Sequence, residues 1–354
     1  DKIAFKIRNN ELDMLGANWT VSGGNKIILG KKYIGIDSLV FSDGYRSINL
    51  SDIRKEGIQG HLKNFDFLII NGIIDYKKIQ FAGEGEVKMK VESIFSDPVI
   101  NGLMDIPSFT LNNEDYGRLL IKATDRNEGF INTLVTLNNP DNRMNVYLEA
   151  DYVKDEKYLN GKLDIDNLPL DIFEFMIEDG ISLTSGTTNI DAGIFGPLED
   201  LTLIGEGKLN DAATRVNYLG NYITIGNEPI RIGNEVIDFT GVTIRDKYNN
   251  VADLEGGFVH NLFKDFGLDL TINSDRFLAL DTDKSDNPMY YGQGIGEVEV
   301  SFVGPINSTD IEVTAGMSEG SILNIPIEDS YEDFDESFIK FVDRKALDMD
   351  TLDQ

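Results

Sequence analysis

Apolar and polar residues alternate with a period of two over most of this chain. Leu268, Leu270 and Ile272 alternate with Asp269, Thr271 and Asn273. The same beat returns at Val87, Met89 and Val91; Met144, Val146, Leu148 and Ala150; Leu163 and Ile165; Val298, Val300 and Phe302; and Ile311, Val313 and Ala315. A period of two sends successive side chains to opposite faces of a β-strand. One face is therefore apolar, while the other carries Lys88, Lys90, Asn145, Glu149, Asp164, Glu297, Glu299 and Glu312. The pattern predicts an all-β protein with a very long apolar surface. What covers that surface, a second sheet of its own or something it carries, becomes the functional question.

Breaks in the alternation divide the chain. Asn139-Pro140, Lys247 to Asn250 and Ser22-Gly23-Gly24 read as hairpin turns. Three segment pairs recur in the same order at offsets of 203, 196 and 211 residues: Asp43 with Asp246, Ile58 to Leu62 with Leu254 to Phe258, and Gly83 to Val87 with Gly294 to Val298. They favour a duplicated β unit, 1–112 and 218–327, around a connecting β section at 113–217. Within that section, residues 166–178 are expected to form a short helix, with Leu168, Ile172, Phe175 and Met176 on one side, Pro169 in the first turn and Gly180 at the end. Residues 328–354 read as an acidic linker. Phe334, Phe338, Phe341 and Val342 give it helical spacing, so an amphipathic helix is expected over Asp333–Arg344.

Charge removes several classes of partner. The 61 acidic residues outnumber 32 basic ones, for a net charge of −29. Phosphate backbones are bound by Lys and Arg, so nucleic acid is not expected, nor is a basic patch docking on anionic headgroups. With no cysteine, thiol catalysis, disulfides and thiolate metal sites are excluded. No apolar run reaches the ~18 residues of a membrane span. The chain starts at Asp1 without methionine, and a targeting segment is expected outside it.

Candidate chemistry is thin. The Gly-x-Gly motifs at Gly83, Gly205 and Gly294 each run into an alternating strand and not into a helix, so they read as turns or bulges and not as phosphate loops. His61 and His260 are the two imidazoles, too few for a multi-histidine metal site, and no nucleophile–base motif accompanies them. Asp281 to Asp286 lacks the sixth-position glycine and distal glutamate of a calcium loop. No carboxylate pair stands out for glycoside hydrolysis. The expectation is a protein without catalysis, cofactor or metal.

Two stretches carry more information. Phe195-Gly-Pro-Leu198 followed by Leu203-Ile-Gly-Glu-Gly-Lys-Leu209, and Phe302-Val-Gly-Pro-Ile306 followed by Asp310 to Gly316, are each strand, Gly-Pro turn, strand. The first resembles the strands of TamB, the translocation and assembly module family, and the wider AsmA-like group. Ile244 to Gly256 with His260 and Phe263 to Phe266 is similar to a hairpin of the Bacteroidetes-type members; Tyr290 to Gly292, Gly294 to Gly296 and Asn18 to Val21 continue the likeness. It is clearest from about Leu163 to Ile327.

The resemblance implies an internal segment of a periplasmic protein bridging the inner and outer membranes. It implies an elongated, curled antiparallel sheet, a β-taco that is U-shaped in section with an open hydrophobic groove. It also implies phospholipid transport, support of outer-membrane protein assembly, and a partner of the TamA type, an outer-membrane barrel, reached through regions outside this chain. On this reading the groove residues that meet phospholipid acyl chains are Met144, Val146, Leu148, Leu163, Ile165, Leu268, Leu270, Ile272, Val298, Val300, Phe302, Ile311 and Val313. About 25 strands ~4.8 Å apart would span on the order of 100 Å. The alternative is an extracellular acidic β-solenoid or adhesin-like protein, whose apolar face is its own closed core. Solenoid repeats run roughly 20–50 residues, and no such short period is visible.

Overall fold

The computed structural model describes residues 2–8, 12–14, 17–72, 80–174, 177, 180–261 and 264–326. Their strands form a curled antiparallel sheet of 23 strands and a separate sheet of three, Lys2–Phe5, Lys26–Gly30 and Tyr33–Asp37. The all-β expectation holds: no described helix reaches seven residues. The expected helix at Asp333–Arg344 lies outside the described residues.

From Glu84–Glu92 to Thr202–Val216 the large sheet is a plain meander in which each long strand pairs with the next. Local chemistry makes the corners. Asn112 and Asn113 both adopt positive φ (50° and 70°) between the paired Leu111 and Glu114, which is the two-residue turn whose twist suits a hairpin. At the turn after Thr243–Arg245, Asp246 accepts the amides of Tyr248 and Asn250 at 2.8 and 2.9 Å, and its second oxygen takes the Leu278 amide at 2.9 Å. One buried carboxylate thus ties a hairpin corner to a strand 32 residues away.

The helix expected at 166–178 is corrected. Residues up to Pro169 continue the strand Tyr158–Pro169, with Leu168 and Pro169 paired to Thr188 and Thr187. Among the described residues of this stretch, Leu170–Phe173 forms a 3-10 helix. Pro169, without an N–H, ends the ladder, while Ile172 and Phe173 pack back against the sheet.

Two buried clusters dominate. The first contains Phe67, Ile106, Phe109, Leu119, Met144 and Leu168 and sits under the 3-10 turns Phe67–Gly72 and Leu170–Phe173. The rings of Phe67, Phe81 and Phe109 meet there at 5.7–6.2 Å between centroids. The second is larger and gathers Leu209, Ile223, Val242, Ile244, Ile272, Phe277, Val298 and Val300 from strands after residue 200. In that part the sheet closes over its own apolar face.

Candidate functional site

The pairing register shows what the alternation builds. Starting at Val21, directly opposed residues run Phe41, Ile48, Leu62, Val87, Met104, Ile121, Val135, Leu148 and Leu163. The row continues through Ala192, Gly205, Ile232, Ile237, Phe258 and Leu268 to Gly304. Seventeen strands contribute, and no position is polar. Opposed residues share a face, so one apolar stripe crosses nearly the whole sheet. Beside it runs a row of small residues, including Gly60, Gly102, Ala123, Thr133, Ala150 and Gly161, broken by Met89.

Exposure changes along the stripe. Ile48, Leu62, Val87 and Leu148 are partly exposed and belong to no buried cluster, whereas Met104, Ile121 and Val135 between them are partly exposed but pack against the first cluster. Met89, on the same face, is 49% exposed. Farther on, Ile237, Phe258 and Leu268 of the stripe stay partly exposed, while residues beside the stripe on the same face are buried. Val298 and Val300 are 3% and 2% exposed, and Ile272 and Phe302 are buried with them.

The thirteen expected groove residues therefore separate. Val146 and Leu148 lie on the partly exposed face, whereas Met144 is fully buried in the first cluster and Ile165 packs against it. Leu163 packs with Ala192, Leu203 and Ile232. Ile272, Val298, Val300 and Phe302 sit in a closed core, with Leu268 and Leu270 against it, and do not line an open groove. Ile311 and Val313 face the same way as Phe302 and Val300, their direct partners. They are exposed because Asp310–Met317 is paired on one side only among the described residues.

Polar groups intrude on the apolar face at one rim. Asp125, opposite Ile131, is buried and receives Lys154 at 2.8 Å together with the amides of Ile100 and Asn127. Burial pushes the Asp125 carboxyl up, but Lys154 and the two amides outweigh it and hold the group below the ordinary carboxylate value.

The other candidates lie apart from the stripe. His61 lies on the polar face, 3.3 Å from Glu86. His260 is buried, and desolvation pushes its imidazole toward the neutral form against the pull of Glu235. In the acidic loop, Asp283 caps the amides of Ser285 and Asp286 at 2.7 and 3.1 Å. Among the described residues, no three His, Asp or Glu side chains converge as metal ligands. Of the glycine motifs, Gly83-Gly85 opens a strand beside a register shift, as expected. Gly205 and Gly296 instead lie within strands, where a Cβ would strike Ala192 and the Gly316 carbonyl. They permit close backbone approach, a distinction that spacing alone does not carry.

The site is thus a curled antiparallel sheet with one largely apolar face and one polar face. Residues 240–353 match the family model of the TamB C-terminal domain, a finding that supports kinship with the TamB family over that part of the chain. The match takes in the final strands of the closed section, from Thr243–Arg245 onward. No curated protein and no solved structure matched the chain. The family is associated with the bacterial envelope and the assembly of its outer membrane.

Proposed function

We propose that the partly exposed apolar face from Ile48 to Leu163 carries phospholipid acyl chains across the periplasm, as one part of outer-membrane assembly. The unbroken apolar row through the pairing register carries this reading. An acyl chain of about 16 carbons loses on the order of 12 kcal/mol of favourable burial when exposed to water, at ~0.8 kcal/mol per CH₂. A carrier surface must therefore be apolar without a polar gap, and the row from Ile48 to Leu163 has none. The chain then acts as a non-enzymatic carrier. An outer-membrane barrel of the TamA type is met through regions outside this chain.

The closed core around Val300 favours a second reading for that section, a purely structural or adhesin-like module with no cargo. Photo-crosslinking separates the two. Probes at Val87 and Leu148 should capture phospholipid in cells, while probes at outward-facing Lys162 and buried Val300 should not. Failure at Val87 and Leu148 in a correctly folded protein would remove the carrier reading and leave the structural one.

A further inference from the structure

On the polar face, behind the stripe, the sheet bends into a concavity of about 600 Å³. Two rows of paired residues line it. In one, Lys88 is directly opposite Leu103, which is opposite Lys122; in the other, Lys90 is opposite Asn101, which is opposite Thr124. His61 and Gln59 extend these rows on the next strand. The lysines on either side of Leu103 stand two strand spacings apart, on the order of 10 Å between their backbones.

The charge of this hollow runs against that of the molecule. Acids outnumber bases almost two to one along the chain, yet three lysines and a histidine line the concavity and no carboxylate does. Glu86 and Glu92 stand at its margin, 3.1 Å from Lys88 and 3.0 Å from Lys90. Both pairs are solvent-exposed, and such pairs contribute little and exchange readily. Lys122 has no ion-pair partner among the described residues.

We propose that this concavity binds a soluble sugar phosphate. Lys122 and Lys88 supply charge for the phosphate. Asn101, Gln59 and Thr124 offer donors and acceptors for hydroxyls, and Leu103 gives the C–H face of a sugar ring an apolar seat. The phosphate of a groove-bound lipid is disfavoured, because Lys88 and Met89 are consecutive in one strand and their side chains leave opposite faces of the sheet, even though Met89, Gly60, Gly102 and Ala123 border the hollow between the two rows. An anionic bilayer is disfavoured too, since a chain of net charge −29 is repelled from it. The site is independent of the carrier reading and stands or falls separately.

Calorimetry of the full chain with glucose 6-phosphate at low ionic strength tests it, with glucose as the uncharged control. Binding should require the phosphate and weaken with added salt. Lys122→Gln should weaken it at least about tenfold, the ~1.4 kcal/mol of one charge-assisted contact. Glu86→Gln should tighten binding, because it frees Lys88 and His61. Lys162→Gln, on the same face three strands beyond Lys122 and paired with Asp164 and Asp191, should leave it unchanged. All three side chains are exposed, so thermal melts should coincide and show that folding is intact. Absence of binding, equal binding of glucose, or equal effects of Lys122→Gln and Lys162→Gln would overturn the proposal. Flotation with phosphatidylglycerol vesicles that depends on Lys122 would also overturn it, by assigning the site to a membrane headgroup.

Discussion

Placing one carboxylate at two points of the same apolar stripe face measures how the protein uses that face. Val300 is 2% exposed, opposed by Ile272 and Val313 within the larger cluster. Val300→Asp gives up about 1.5–3 kcal/mol of side-chain burial. The unpaired carboxylate adds several kcal/mol more, or else protonates and still leaves a buried polar group unsatisfied at about 1–3 kcal/mol. The sum approaches the 5–15 kcal/mol typical of a whole domain, so Val300→Asp should unfold the closed section. Leu148 is partly exposed and outside every buried cluster, so Leu148→Asp keeps water on its carboxylate and should cost about 1–2 kcal/mol. Urea titration followed by the β-sheet circular dichroism band reads both midpoints against the unaltered chain. A buried carboxyl has a raised folded-state pKa, so the Val300→Asp deficit should grow as pH rises from 4 to 7. A Val300→Asp midpoint equal to wild type would mean that this section is an open slot. Equal unfolding by Leu148→Asp would mean that the stripe is closed throughout.

The rim ion pair and one backbone position give two further tests. Asp125→Ala should cost about 1–3 kcal/mol by leaving the amides of Ile100 and Asn127 without their acceptor, while Lys154 keeps the Pro98 carbonyl at 3.3 Å and Asp97 at 3.8 Å. Because the folded-state pKa of Asp125 is depressed, its contribution is complete above the unfolded value of about 3.9 and is lost as pH falls through the folded value, so the variant's deficit should shrink in acid. Gly256 holds φ +86° with the Asp269 carbonyl where a Cβ would stand; Gly256→Ala should lower the urea midpoint by about 1–3 kcal/mol, and a neutral result would show that the strand relaxes there.

Much of this was legible in the sequence because a period of two is a statement about faces. Leu268 with Asp269, and Val298 with Glu299, fall on opposite sides as the alternation requires, and the register then aligns apolar positions from strands far apart in the chain. The helical spacing at 166–178 misled for a definite reason. Leu168 and Ile172 face the same cluster, yet Leu168 does so from a strand and Ile172 from a 3-10 turn. Spacing of three to four residues thus arose from a corner and not from a helix. The outer concavity gave no motif to find, since Lys88, Asn101 and Lys122 meet only through hairpin register.

The difference between partly exposed face and closed core was not legible, and the pairing explains why. Leu148 and Val300 carry the same side-chain chemistry in the same alternation, so only curvature separates them. A β-bulge bends its strand and sharpens the local twist without disturbing the alternation on either side. From Glu114–Asp125 through Tyr158–Pro169 the register stays unshifted from Arg118 to Ile165, and here the stripe remains partly open. A single shift at Gly85/Val87 adjoins the partly exposed stretch, and others occur at Ile106/Phe109 and Ile165/Leu168, where the first cluster is capped. They recur at Ser182/Ser185, Ala212/Ala213, Val259/Asn261, Ser274/Phe277 and Leu278/Leu280, through the section that closes on itself. The apolar face becomes a core where register shifts accumulate after residue 180, and stays partly exposed at Leu148 where the pairing runs true.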